Sequence, residues 1–162
     1  MSNVVQMTPK KNTVQASEKK WGKMVMKVGF NIIPSLLLRA QQRLGLSSQQ
    51  LVVLLHLSDF WWEYDRKPWP SVNTLAERMG LKRRQVQRIT ADLEKAGLIQ
   101  RIGRTATHKG KLSNAYDLSG LVKKLDELAP EFIEADNRAK EIKKEVTIPK
   151  GMRVNVEKET NK

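Results

Sequence analysis

The spacing of apolar residues predicts a series of short helices in the first half of the chain. Pro34 suits the first turn of a helix that ends near Gly45, and Ser47 or Ser48 can cap a second helix with few polar positions. Such a nearly uniform apolar helix is typical of a buried scaffold element. Upstream, the mixture of apolar and polar residues from Met24 to Phe30 predicts a short strand.

A segment rich in aromatic residues and proline separates these helices from the next one. Its aromatic side chains are Phe60, Trp61, Trp62, Tyr64 and Trp69. Exposed aromatics can stack on nucleic-acid bases, but packing in the core or within the loop is the favoured interpretation. Pro68 and Pro70 prevent a continuous helix, so we expect the third helix to start at Val72 with Ser71 as its N-cap.

Residues 72–93 carry the pattern of a helix-turn-helix. Leu75 and the small Ala76 lie on one helix, Gly80 suits the turn because it can adopt a positive φ, and Val86 begins the apolar stripe of a second helix. An ordinary helical hairpin would show the same spacing. The basic second helix and the hairpin that follows it favour DNA binding instead.

Two short runs after Gly97 predict a β-hairpin, which would form the wing of a winged helix-turn-helix. The runs cover residues 98–104 and 114–118, and the loop between them contains glycines and several cations. The side chains that can face the core are Leu98, Ile102, Tyr116 and Leu118. The predicted fold class is therefore mainly α with a small β-hairpin, a winged helix-turn-helix followed by a C-terminal helix.

The C-terminal third contains apolar residues at alternating spacings of four and three, which is the pattern of a coiled-coil seam. They are Leu121, Leu125, Leu128, Phe132, Ala135, Ala139, Ile142 and Val146. Pro130 interrupts the pattern and predicts a kink or a restart of the helix. The seam allows two arrangements, a homodimer through residues 121–146 or a helix that folds back on its own domain.

The net charge of +13 adds a polyanionic partner to this picture, because it is concentrated in two segments. Residues 1–27 and 78–111 carry the whole excess, whereas the other segments are balanced. A merely solvated surface would not require one basic block between neutral neighbours. We therefore expect double-stranded DNA as the partner, with the basic arm from Lys10 to Lys27 as an additional contact.

The basic second helix supplies the residues that we expect to contact bases. With Val86 toward the core, the opposite face carries Arg84, Gln87 and Arg88, with Arg83 at its flank. In the major groove, arginine can form two hydrogen bonds to guanine and glutamine two to adenine. The alternative is a solvated face that contacts phosphates only.

A second group of residues is expected to contact phosphates or to form the wing. It consists of Ser71, Lys82, Arg101, Arg104, His108, Lys109 and Lys111. Lys82 stands where a hydroxyl residue would normally cap the recognition helix. A cation there is unfavourable unless a phosphate binds at the helix end.

From about Phe30 to Leu118, the chain resembles the winged helix-turn-helix domains of plasmid and phage replication initiators and of transcriptional regulators carried by mobile elements. The resemblance rests on WPSVNTLAERMG, RRQVQRITADLEKAGLI and SNAYDL, and it covers a little over half of the chain. It implies DNA binding by the recognition helix and the wing, in transcription or in replication. It assigns no operator sequence.

The expected domain organisation follows from these elements. A flexible basic arm at residues 1–20 precedes a winged helix-turn-helix domain at 21–118, a helical segment at 119–146 and a tail at 147–162. No segment is apolar enough to span a membrane, so we expect no membrane partner and a cytoplasmic, nucleoid-associated protein.

The leading functional hypothesis is a sequence-specific transcriptional regulator. One alternative is a replication initiation or partition factor of a plasmid, phage or other mobile element, which would also recruit replication machinery. Another is an architectural DNA-binding protein. We expect no enzymatic activity, no cofactor and no metal, because the chain has no cysteine and His56 and His108 are its only histidines.

Overall fold

The structure, a computed structural model, describes residues 11–106 and 110–147. It describes the backbone alone of Lys11, Asn12, Thr13 and Lys111. The chain divides between Ile33 and Pro34 into two compact units. Within the described ranges, no helix combines the length and apolar character needed to cross a membrane.

The first unit contains two helices, α1 (Lys11–Trp21) and α2 (Lys23–Val28), and both differ from the sequence prediction. Residues 11–20 were expected to be part of a flexible arm, and Met24 to Phe30 a strand. Gly22 separates the two helices with a φ of 92°, which a glycine adopts without steric cost. The prediction of a strand is wrong because the six residues of α2 are too few for apolar spacing to distinguish the two elements.

The second unit begins with α3 (Ser35–Arg39) and the scaffold helix α4 (Ser48–Asp59). Ser47 caps α4: its Oγ accepts a hydrogen bond from the Gln50 amide (3.2 Å), and Gln50 Oε1 accepts one from the Ser47 amide (2.8 Å). The buried residues of α4 are Leu51, Val53, Leu54 and Leu57. The predicted scaffold role of this helix is therefore confirmed.

The helix-turn-helix is formed by α5 (Val72–Met79) and α6 (Arg83–Lys95). Ser71 is the N-cap of α5, since its Oγ accepts a hydrogen bond from the Thr74 amide at 3.0 Å. Gly80 ends α5 in the left-handed conformation, with a φ of 63°, and so redirects the chain into α6. The two helices pack through buried side chains, which are Leu75, Ala76, Val86, Ile89 and Leu93.

The wing is an antiparallel hairpin in two parts. Its base pairs β1 (Gln100–Ile102) with β4 (Ala115–Asp117), and its outer part pairs β2 (Thr105–Ala106) with β3 (Gly110–Lys111). The predicted core side chains at the base are buried in three cases, Leu98, Tyr116 and Leu118, whereas Ile102 is half-buried. The hairpin is thus held to the core at its base.

The C-terminal helix α7 (Ser119–Thr147) continues through Pro130, so it does not restart there, and a kink at Pro130 stays a prediction. A proline removes only one backbone donor from a helix, and the neighbouring turns retain theirs. The helix is anchored where it starts, because the Leu121 amide donates to the Leu98 carbonyl at 2.8 Å and Leu121 is buried.

The first two thirds of α7 fold back on the chain's own domain. Two guanidinium nitrogens of Arg39 in α3 donate to the Asp136 carboxylate, at 2.8 and 2.6 Å, and Arg43 pairs with Glu131 at 2.9 Å. The Arg39 guanidinium also lies 5.2 Å from the centre of the Phe132 ring. Of the two arrangements that the sequence left open, folding back therefore applies to this part, and the helix beyond Asp136 is exposed.

Candidate nucleic-acid interface

One face of α6 presents a group of cations and a glutamine to solvent. We define the recognition face as Arg83, Arg84, Gln87 and Arg88, all exposed. Helical periodicity places this face opposite the buried stripe that begins at Val86. Among the described residues, no carboxylate forms an ion pair with these arginines, so their donors are available to a ligand.

The start of α6 is capped without a hydroxyl residue. The backbone amide of Lys82 donates a hydrogen bond to Gln85 Oε1 at 2.9 Å, which is one half of a capping box. The ammonium group of Lys82 cannot supply the other half, because it has no acceptor. This end of the helix has a positive potential, because the backbone amides of the first turn lie next to the side chains of Lys82 and Arg83. It therefore attracts an anion.

A concave pocket of about 390 Å³ lies beside the recognition face. Its lining residues are Ser71, Val72, Asn73, Arg83, Gln87, Leu112, Ser113 and Asn114. It therefore brings together the start of α5, the recognition face and the inner edge of the wing. The sequence analysis did not single out Asn73, Ser113 and Asn114. These polar side chains flank the predicted start of α5 and the predicted second strand of the hairpin, and that position could have indicated them.

Arg101, which the sequence assigned to phosphate contacts, is engaged within the protein. Its backbone amide donates to Glu94 Oε1 at 2.8 Å, and its guanidinium donates twice to Glu94 Oε2, at 2.8 and 2.6 Å. These hydrogen bonds, the backbone one foremost, hold the pKa of the Glu94 carboxyl below its usual value. Arg101 thus links the wing to α6 rather than presenting a free cation.

The remaining wing residues are described to different extents. Arg104 lies near the base of the outer hairpin, with its guanidinium 4.9 Å from the centre of the Trp69 ring. Lys111 is placed by its backbone, opposite Thr105 in the hairpin. His108 and Lys109 lie outside the described residues.

The aromatic segment before α5 is largely on the surface, so of the two expected arrangements, packing in the core or within the loop, the core does not apply. Trp62, Tyr64 and Trp69 are exposed, and Phe60 and Trp61 are half-buried. The reason is visible around Trp69: the prolines on either side of it are buried, and extended backbone directs alternate side chains to opposite faces. The segment pairs with β4, because the Tyr116 amide donates to the Pro68 carbonyl at 2.8 Å.

His56 is the histidine that the structure describes. It lies in α4, half-buried, and burial together with the nearby positive charge of Arg78 lowers its pKa, while Asp59 acts in the opposite direction. In the part of the chain that is described, histidines and carboxylates do not group closely enough to hold a metal ion. His56 is accordingly a packed neutral side chain.

Comparison with known proteins identifies the central part of the second unit. Residues 44–99 match the family model described as a helix-turn-helix domain. The match includes α4, α5 and α6, so the chain contains a helix-turn-helix domain, and this supports DNA binding. No curated protein matches the chain.

The solved structures that resemble the chain include the following two. The N-terminal domain of the DnaD protein from Geobacillus kaustophilus HTA426 is 27% identical, with a TM-score of 0.49 over 75% of this chain and 96% of that one. A possible transcriptional regulator from Methanosarcina mazei Go1 is 21% identical, with a TM-score of 0.40 over 64% of this chain and 82% of that one.

Proposed function

We propose that this chain, in which residues 44–99 form a helix-turn-helix domain, binds double-stranded DNA with sequence preference and acts as a transcriptional regulator. The observation that carries the proposal is the recognition face of α6. It places three arginines and a glutamine on the exposed side of a helix whose other side is buried, which is the arrangement needed for docking in a major groove.

In the proposed complex, α6 lies in the major groove and the recognition face contacts base edges. Arg84, Gln87 and Arg88 have the donor geometry for guanine and adenine, and Arg83 lies at the flank. The residues proposed to contact phosphates are Ser71, Lys82, Arg104, His108, Lys109 and Lys111. Arg101 leaves this set because its guanidinium is bound to Glu94.

The sequence preference is tested by selecting bound duplexes from a random pool with the full chain and footprinting the selected sequence. We expect an enriched motif, and we expect Arg84→Ala to weaken binding to that motif much more than binding to random duplexes. Arg39→Ala is the matched control, because Arg39 is also an exposed arginine but pairs with Asp136. Equal losses on selected and random DNA for Arg84→Ala would contradict base reading.

The regulatory role is tested in a strain that lacks the gene. A transcriptional regulator predicts altered transcription from promoters that carry the selected motif. A replication initiation or partition factor would use the same DNA contacts but predicts loss of plasmid maintenance. Loss of maintenance with unchanged transcription would therefore overturn the regulatory role while leaving DNA binding intact.

We further propose that the exposed end of α7 forms a homodimer. The seam positions Ala139 and Ile142 continue the heptad spacing beyond the part of the helix that folds back, and both are exposed. Light scattering at micromolar concentration should give twice the chain mass, and Ile142→Glu should give the single mass. A monomeric wild-type protein would exclude the dimer.

A further inference from the structure

The segment between α4 and α5 exposes aromatic side chains that ordinary soluble proteins cover. Trp62 is 70% exposed, Tyr64 88% and Trp69 43%. Aromatic rings bury large apolar areas when they contribute to folding, and a group of exposed rings is typical of a contact surface. We define the aromatic platform as Trp62, Tyr64 and Trp69, together with Arg66 and Arg104.

The geometry of the platform suits a flat, electron-rich ligand. The guanidinium groups of Arg66 and Arg104 lie 5.5 and 4.9 Å from the centre of the Trp69 ring. Beside this ring is a pocket of about 280 Å³. Its lining residues are Phe60, Trp62, Glu63, Arg66, Trp69 and Pro70. Aromatic rings and arginine planes are the surfaces on which unpaired bases stack.

The platform is fixed to the base of the wing. The Trp69 carbonyl accepts a hydrogen bond from Ser113 Oγ at 3.0 Å, and the neighbouring Pro68 carbonyl accepts one from the Tyr116 amide at 2.8 Å. Lys67 adds an ion pair to Asp117 of β4, at 2.8 Å. The Trp69 ring is therefore held beside the hydrogen-bonded base of the wing, so stacking on it costs little ordering of the protein.

The charges around the platform indicate stacking more than phosphate attraction. Arg66 lies 3.9 Å from Glu63, and Asp65 is adjacent in the chain, so the cations of the segment are partly compensated. Arg104 belongs both to the platform and to the proposed phosphate-contacting set of the wing. A strand that leaves the duplex at the wing would thus meet Arg104 first and the tryptophan rings next.

We propose that the aromatic platform binds unpaired bases of single-stranded DNA next to the duplex that the wing contacts. The position of the single strand in this proposal rests on the proposed binding of duplex DNA. The free energy of binding to unpaired bases has a separate origin. Each stacked base contributes through ring contact, whereas the recognition face and the wing act through hydrogen bonds and phosphate charge. Binding to unpaired bases should consequently depend less on salt than binding to the duplex.

The experiment measures fluorescence anisotropy of three labelled probes with the full chain. The probes are a blunt duplex, the same duplex with a single-stranded thymidine tail, and the tail alone. We expect the tail to tighten binding of the wild-type protein. Substituting both Trp62→Ala and Trp69→Ala should abolish this gain, a loss of roughly 5- to 100-fold for each stacked base, with the blunt duplex bound as before.

Phe30→Ala is the matched control, because Phe30 is also an aromatic ring on the surface, 38% exposed against 43% for Trp69, and lies outside the proposed DNA contacts. It should leave the gain from the tail unchanged. Trp69→Phe retains a ring and should keep part of the gain, which separates stacking from a folding defect.

Three results would overturn the proposal: no gain from the tail in the wild-type protein, equal loss for Phe30→Ala, or a gain that survives removal of both platform tryptophans. The last result would indicate that the aromatic platform binds a peptide instead of unpaired bases. In a further outcome, the blunt duplex fails to bind while the single-stranded tail still binds through the tryptophans. That result would contradict the proposed regulatory function and not this inference.

Discussion

Helices α6 and α7 are both rich in charge, but they use it in opposite ways. On α6, the arginines of the recognition face have no acidic partner among the described residues. On α7, Asp136 pairs with Arg39 of α3, and Glu131 pairs with Arg43 in the turn that follows α3. The difference shows that the density of charge along a sequence does not reveal its use. That use depends on whether an opposite charge lies within reach after folding.

The same comparison separates what stabilises the protein from what it offers to a ligand. Exposed ion pairs such as that of Arg39 contribute little to the free energy of unfolding. The start of α7 contributes more, because Leu121 is buried and bonded to the chain after α6. We therefore expect substitutions at the buried start of α7 to change stability, and substitutions on the recognition face to change DNA binding.

The largest expected effect is that of Gly120→Ala at the start of α7. A Cβ at this position would lie 2.2 Å from the carbonyl oxygen of Gly97, so the backbone must move. We expect the free energy of unfolding to fall by about 3 kcal/mol. Intrinsic helix propensity predicts the opposite sign, about 1 kcal/mol in favour of alanine.

Chemical denaturation of Gly120→Ala checks this expectation. Gly103→Ala is the control, because nothing lies within 4 Å of the position of its Cβ and its φ is not positive. A gain in stability for Gly120→Ala would show that the start of α7 is loosely packed.

The second prediction concerns α6. Arg84→Ala and Arg88→Ala should each weaken binding to the selected duplex by about 1 to 3 kcal/mol, because each removes donors to a base. Neither should change the melting temperature, since neither arginine has a partner among the described residues. Titration of labelled duplex and thermal unfolding of the same samples test both statements. If the same variants also lost stability, the recognition face of α6 would contribute to folding as the start of α7 does, and the difference between the two helices would not hold.

The third prediction is a pH dependence at the junction of the wing and α7. The Lys67 ammonium group and the Ser119 amide bond to Asp117 and lower the pKa of its carboxyl from 3.8 to about 2. Because the pKa is lower in the folded state, the stabilisation is complete above pH of about 4 and is lost as the pH falls toward 2. It amounts to about 2 kcal/mol.

Asp117→Asn should therefore remove about 2 kcal/mol at neutral pH and flatten the acid limb of the stability curve. Asp126→Asn, at an exposed acid of α7, is the control and should do neither. Urea denaturation over a range of pH measures both variants. An unchanged acid limb in Asp117→Asn would assign the acid sensitivity to other carboxylates.

The smallest expected effect is that of Arg39→Ala. The pair with Asp136 is about half exposed, at 47% and 46% of the two side chains, so we expect only a small loss of stability, which disappears in high salt. A double-mutant cycle with Asp136→Ala isolates the interaction. A coupling well above 1 kcal/mol would mean that α7 depends on this pair as strongly as on its start.

The elements that can be predicted from the sequence are those with local chemical signatures. Ser71, Gly80 and the apolar stripe from Val86 each fix a local conformation, and the helix-turn-helix follows from them. The exposed recognition face follows in turn, because helical periodicity relates it to that stripe. The DNA contacts assigned to its side chains remain predictions.

The parts that could not be predicted depend on pairing between distant residues. Nothing in the spacing of Glu94 and Arg101 indicates that they would bond, because their contact arises from the turn between α6 and the wing. Likewise, the pairing of Arg39 with Asp136 joins residues 97 positions apart. The exposure of Trp69 goes with the hydrogen bond from the Tyr116 amide to the Pro68 carbonyl, which an aromatic count does not show.

The link between Glu94 and Arg101 has a consequence for the proposed DNA complex. One carboxylate holds both the amide and the guanidinium of Arg101, so the wing is tied to α6 through main chain and side chain at once. In the proposed complex, α6 and the wing would therefore lie at a fixed distance from each other. A duplex whose grooves do not match this distance would have to deform on binding. The protein would then discriminate between DNA sequences partly by their stiffness.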